Sequence, residues 1–198
     1  MLTTTLPGFE DLTRDSQKTF RALLSALSEP GKVMDLPAKV GVPEGMNLAC
    51  AAACLTLIDF ETTVWLQAGF SSAVKDWLRF HTGCSFVKNP ADADFAVVKD
   101  LQAVSLPQFC WGTAEVPESS TTLLVQVESL TEGEFVVLSG PGILGERTVA
   151  PSVSSSFWQL WMENHAAHPR GVDCFFLSRS EVVGLPRSVR AVVSAVGG

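Results

Sequence analysis

Apolar residues recur at helical spacing in several stretches of this chain, separated by short unbroken apolar runs. Phe20, Leu23, Leu24 and Leu27 stand at i, i+3, i+4 and i+7 and predict an amphipathic helix over about Ser16 to Leu27. Asp15 or Ser16 can cap its start, and Pro30-Gly31 ends it. A second helix begins after Asn47, a good cap, and runs through Ala49 and Leu55 toward Asp59. It is small and apolar all round, as a buried helix is. A third starts at Ser71 or Ser72, carries Val74, Trp77, Leu78 and His81 on one face and stops at Gly83. A fourth covers roughly Ser155 to Asn164, with Trp158, Trp161 and Met162 along one side.

Strands are predicted at Val33 to Leu36, Thr62 to Leu66, Phe95 to Val98, Leu123 to Val127, Phe135 to Leu138, Val172 to Leu177 and Arg190 to Val193. Several are continuously apolar, which suits a sheet covered on both faces. Helices interleaved with such strands predict an α/β fold, a three-layer αβα arrangement around a mixed, mostly parallel sheet. Leu123–Val127 and Phe135–Leu138, joined through Glu132-Gly133, read as a hairpin within it. No repeat, low-complexity block or charged linker divides the chain, so residues 1–198 are expected to form one domain, with 1–8 flexible.

Composition narrows the function. The chain is 46% hydrophobic and 18% charged, a bare surface of the kind a partner often covers. Its net charge of -7 gives no long-range attraction to nucleic acid or anionic lipid, so neither is an expected partner. The first residues lack the basic and apolar regions of a signal peptide. The apolar run Leu48 to Ile58 falls short of the roughly 20 residues a membrane-spanning helix takes. Five scattered cysteines suit a reducing compartment, with the cytoplasm as the default.

Candidate chemistry is thin. Ser139-Gly140-Pro141-Gly142-Ile143 follows a strand, but the residues after it do not look helical and neither nucleotide-loop motif is present, so a plain turn is favoured over a phosphate cradle. Cys50 and Cys54 share a helix face, His81 and Cys84 form an HxxC, and His165 and His168 form an HxxH. No further ligands complete a set, so no metal is expected. Cys84 lies past a helix C-terminus, the wrong end of the dipole for a reactive thiolate. There is no serine-hydrolase elbow.

Three features remain. Arg79, His81 and Thr82 close the third helix, where cations are favoured electrostatically and could also meet an anion or a partner. Arg187 is presented by the turn after Pro186 and offers a fork suited to phosphate or carboxylate. The loop Cys110 to Ser120, with Gly112, Thr113 and Glu118, has the composition of a recognition loop.

Read in order, the segments resemble one family. Phe20 to Gly31, Leu55 to Asp59 with Thr63 to Leu66, Leu78 to Thr82, Ala93 to Val97, Gly112 to Ala114 with Pro117-Glu118, Leu138 to Ile143, Gly171 to Asp173 and Leu185 to Ser188 are similar to the PhnH family. Its members are subunits of the bacterial carbon–phosphorus lyase system. The likeness covers about Phe9 to Val193; His168-Pro169-Arg170-Gly171, Ser188 and Leu27 depart from the usual pattern. The resemblance implies a fold like the large domain of pyridoxal-phosphate-dependent transferases without the cofactor, and a homodimer. It also implies work beside PhnG, PhnI, PhnL and PhnJ type subunits, as a required partner with no catalytic residues of its own. There a phosphonate displaces the nucleobase of ATP to give a ribose 1-phosphonate 5-triphosphate. No cofactor is expected, and no lysine stands out as a Schiff-base candidate. The rival expectation is an enzyme that binds a nucleotide or phosphonate itself through Arg79, His81 and Arg187, which requires the fold to gather them in one cleft. An inert relic of a pyridoxal enzyme is a third.

Overall fold

The computed structural model describes residues 6–194. Helix α1 (Leu12–Ser28) starts a turn earlier than its apolar pattern predicts, and its cap is Asp11, not Asp15 or Ser16. The Asp11 carboxylate accepts from the Arg14 N–H at 2.9 Å, and Asp15 reaches back to accept from the Asp11 N–H at 3.1 Å. This reciprocal cap satisfies two orphan donors of a polar first turn, which carries no apolar signal. The predicted apolar stripe is split: Leu23 is buried beside Thr19 and Ala26, while Phe20 and Leu24 stay 49% and 56% exposed.

Helix α2 (Leu48–Leu57) begins at Asn47, whose side chain accepts from the Cys50 N–H at 2.8 Å, and Ala49 through Cys54 are all buried. Helix α3 (Ser72–Thr82) buries Val74, Trp77 and Leu78 and ends at left-handed Gly83. Helix α4 (Ser155–Ala166) buries Phe157, Trp158 and Trp161; Met162 stays partly exposed.

The strands are β1 (Met34–Asp35), β2 (Thr63–Leu66), β3 (Ser85–Phe86), β4 (Phe95–Val98), β5 (Thr122–Gln126), β6 (Val136–Ser139), β7 (Arg147–Val149), β8 (Asp173–Ser178), β9 (Glu181–Leu185) and β10 (Arg190–Val193). Seven form one sheet in the order β1-β9-β8-β5-β4-β2-β3. Neighbours from β8 to β3 run parallel, and β9 and β1 add antiparallel pairings at one edge. The sheet is therefore mixed and mostly parallel, as its apolar runs predict.

The expected hairpin between β5 and β6 does not form. β5 pairs with β4 and β8, while β6 joins β10 and β7 in a separate three-stranded antiparallel sheet. Leu123, Leu124 and Val125 are all fully buried, so β5 needs cover on both faces and takes the sheet centre. β6 alternates buried and half-buried residues, which suits a one-sided sheet. β3 and β7 are too short to have shown a pattern. The tight β8–β9 hairpin turns on Arg179 at φ 49°, without the Asn-Gly or Asp-Gly that advertises such turns.

The main sheet separates two apolar layers by simple alternation. Ala96, Val98, Leu123, Val125, Cys174 and Phe176 face α4 and the small sheet. Val97, Leu124, Phe175 and Leu177 face α1, α2 and α3. Gly184 of β9 lets α1 lie close, since a Cβ there would stand 2.4 Å from the Ala26 carbonyl oxygen. Residues 1–5 of the expected flexible N-terminus lie outside the described residues. Leu6 and Pro7 are tied down through their carbonyls, the second accepting from the Gly41 N–H at 2.8 Å. No helix among the described residues is long and apolar enough to cross a membrane.

Candidate functional site

The singled-out residues all fall at the edge where the parallel strands begin, but in two groups. Arg79, His81 and Thr82 lie just before β3. Gly112, Thr113, Glu118 and Arg187 cluster near the starts of β5 and β8, with β4 and β2 between the two groups in the sheet. No hydrogen bond or ion pair among the described residues joins them.

In the first group, the Trp77 indole N–H donates to the Leu6 carbonyl at 3.1 Å, and His81 Nε2 meets the same oxygen at 2.9 Å. A carbonyl only accepts, so Nε2 carries the proton. The imidazole also lies edge-on to Trp77 and Phe80 at 4.9 and 5.0 Å. Arg79 sits 5.4 Å from the centre of the Phe86 ring, and Lys75 approaches the same ring at 5.1 Å, both cation–π contacts. The Thr82 hydroxyl donates to the Leu78 carbonyl at 2.8 Å and accepts from the Cys84 N–H at 3.2 Å. Burial pushes the Cys84 thiol up against a smaller opposing pull from Thr82, so it is held as the neutral thiol.

The second group is organised by Arg187. Its Nε and Nη2 donate to the two Asp173 oxygens at 3.1 and 2.5 Å, and its backbone N–H adds a third bond at 2.7 Å. Nη1 donates to the Pro117 carbonyl at 2.7 Å. The Arg187 carbonyl in turn accepts from His165 Nδ1 at 3.2 Å. With both side chains mostly covered, this fork is a clamp fastening the 110–120 loop to the start of β8. Within the loop, Gly112 adopts φ +66°, and a Cβ there would stand 2.8 Å from the Pro117 oxygen. Thr113 closes the turn, its N–H donating to the Val116 carbonyl at 3.2 Å and its hydroxyl accepting from the Val116 N–H at 3.0 Å. Glu118 lies in a short 3-10 turn, exposed.

Sequence reasoning missed the opposite edge, where β2, β4 and β5 end. Gln67, 6% exposed, stitches β2 to β4: its Nε2 donates to the Asp100 carbonyl at 2.8 Å, and its Oε1 accepts from the Lys99 and Asp100 N–H groups at 2.8 and 2.9 Å. Beside it lies a cavity of about 190 Å³ lined by Lys99, Gln102, Gln126, Glu128, Ser152 and Ser154. The sequence signal for Gln67, Lys99, Gln126 and Glu128 is their place at or just past the end of a parallel strand, where ligands of open α/β sheets gather.

The remaining chemistry is subdued. The Cys54 thiol is pushed up by its hydrogen bond with Cys50 and by burial, and Cys174 by burial and the nearby Asp173 charge. Among the described residues no three His, Cys, Asp or Glu side chains are grouped to hold a metal ion. Gly142 packs the 139–143 loop onto the Ser28 carbonyl, and strand β7 follows, so the loop is a turn between antiparallel strands.

Comparison of the sequence with known proteins places the chain in a family. Residues 7–192 match the family model described as "Bacterial phosphonate metabolism protein (PhnH)". The chain is 36% identical over 186 residues to a protein of Rhizobium meliloti (strain 1021) named "Alpha-D-ribose 1-methylphosphonate 5-triphosphate synthase subunit PhnH", covering 92% of this chain and 93% of the relative. It is 30% identical over 174 residues to the "Putative C-P lyase subunit protein HtxG" of Stutzerimonas stutzeri, covering 87% and 83% of the two chains. Matched over nearly its whole length by the family model and by both relatives, the chain belongs to the PhnH family of bacterial phosphonate metabolism proteins.

Proposed function

We propose that the chain is a required, non-catalytic subunit of a carbon–phosphorus lyase assembly. In this reading it supports formation of a ribose 1-phosphonate 5-triphosphate from ATP and a phosphonate. The observation that carries it is the 36% identity, over 92% of the chain, to a relative named as a subunit of that synthase. The partners are PhnG, PhnI and PhnJ type subunits and a second copy of the chain, in the cytoplasm. The whole chain acts as one domain whose likeness to pyridoxal-dependent transferases is one of fold without cofactor. The site chemistry supports a subunit role: the Cys54, Cys84 and Cys174 thiols are held neutral and the best-placed arginine is engaged internally. The exposed part of the clamped loop, Thr113 and Glu118 above Gly112, is the contact surface we favour for a partner.

Co-expression with PhnG, PhnI and PhnJ type subunits, tagging only this chain, tests the reading by size-exclusion chromatography. One large co-eluting species is expected; elution of this chain alone overturns it. The rival, direct binding of ATP or phosphonate through Arg79, His81 and Arg187, has its arginine fork already occupied by Asp173. Calorimetric titration of the isolated chain with ATP and with methylphosphonate should give no binding heat.

A further inference from the structure

Helix α1 faces solvent with an unusual mixture. Phe20 and Leu24, one helical turn apart, are half exposed, although Leu23 and Ala26 between and beyond them are buried. Arg14, Lys18 and Arg21 share the exposed side and enter no ion pair among the described residues. From Arg14 to Ser28 the helix has one carboxylate, Asp15, and that is turned back onto the helix start, accepting from the Asp11 N–H. At the other end the β6–β7 turn is seated on α1, Gly142 against the Ser28 carbonyl, and carries Leu144 fully exposed. An acidic chain of net charge -7 thus presents one helix face that is apolar along one side and basic along the other.

We propose that this face of α1 docks an acidic amphipathic helix of a sister subunit, an inference that rests on the subunit reading above. The Phe20–Leu24 spacing matches apolar residues one turn apart on a partner helix laid along α1. The flanking Arg14, Lys18 and Arg21 select carboxylates beside that apolar seam and repel a basic competitor. A second copy of the chain is the poorer occupant, because a two-fold contact through this face sets three unpaired cations against the same three.

The test uses the full co-expressed assembly and two sets of changes, Phe20→Asp with Leu24→Asp, and Arg14→Glu with Lys18→Glu and Arg21→Glu. All five side chains are solvent-facing, so both variants should keep the wild-type circular dichroism and melting profile, measured alongside. Each should lose at least about 30-fold in affinity for the assembly, the effect of losing an interface hot spot of about 2 kcal/mol. Wild-type assembly should also weaken as ionic strength rises from about 0.05 to about 0.5 M, since salt screens the basic rim. Folded variants that assemble as tightly as wild type overturn the docking surface and leave the subunit reading standing. Variants that change only the mass of the isolated chain by light scattering make the occupant a second copy and overturn it too. Failure of the wild-type chain to assemble sinks the subunit reading and this inference together.

Discussion

Arg187 grips Asp173 with Nε and Nη2 of its guanidinium and with its own backbone N–H, and turns Nη1 to the Pro117 carbonyl. A residue that reads on paper as a free anion-binding fork is in fact the fastening between a loop and a strand. Both side chains are largely covered, so removing either leaves the other desolvated and uncompensated.

Arg187→Ala should therefore destabilise the fold by about 2–4 kcal/mol, measured by urea unfolding. Arg187→Lys should recover little of that, because a point charge cannot span both carboxylate oxygens and the Pro117 carbonyl. A double-mutant cycle with Asp173→Asn should show strong coupling. A change of less than about 0.5 kcal/mol in Arg187→Ala would contradict the clamp.

Gly112 makes a second, independent test of the same loop. Its positive φ and the 2.8 Å approach of the Pro117 oxygen both act against any side chain. Gly112→Ala should cost about 1–3 kcal/mol and speed limited proteolysis between residues 110 and 120. Gly145→Ala is a useful control, since it shares the positive φ but meets no atom within 4 Å and should cost less.

Two buried tryptophans of α4 differ in one hydrogen bond. Trp161 donates from its indole N–H to the Val189 carbonyl at 3.0 Å, tying α4 to the turn before β10, while the Trp158 N–H has no partner among the described residues. Both are almost wholly buried, so shrinking either to Phe removes similar packing. Trp161→Phe should be the more destabilising by about 1–2 kcal/mol, because it strands the Val189 carbonyl. Equal melting temperatures for the two variants would count against the bond.

The buried thiols set an alkaline limit. Cys54 and Cys174 are raised in the folded state, so the native protein keeps protons that the unfolded chain releases above the ordinary thiol pKa of about 8.5. Their contribution is complete below that pH and falls away as pH rises toward the folded values, by up to about 1.4 kcal/mol per pH unit for each thiol. Cys174→Ala should flatten the decline of the urea midpoint between about pH 9 and 10. An unchanged slope would show that this thiol does not contribute.

Much of the architecture is written locally. Asn47 and Gly83 bound their helices through caps and a left-handed φ that need no distant residue. The runs Phe95–Val98 and Leu123–Val125 declare strands covered on both sides, and hence a layered, mostly parallel sheet. The ordered segments from Phe20 to Ser188 also carry the family, which the comparisons bear out.

What an element touches is another matter. Local pattern made β5 and β6 neighbours, yet β5 lies between β4 and β8, because burial of both its faces outweighs a short connection. Periodicity put Phe20 and Leu24 with Leu23, but the close approach of α1 over Gly184 admits the smaller side of the helix and turns the larger residues outward. Arg187 and Asp173 are each unremarkable in sequence and become a pair only when β8, β9 and the loop after β9 fold together. Helix ends and strand character depend on a few adjacent residues and so are determined by the sequence read alone. Partners, exposed faces and clamps are decided by tertiary packing, since they depend on which surfaces exclude water from one another across the whole chain.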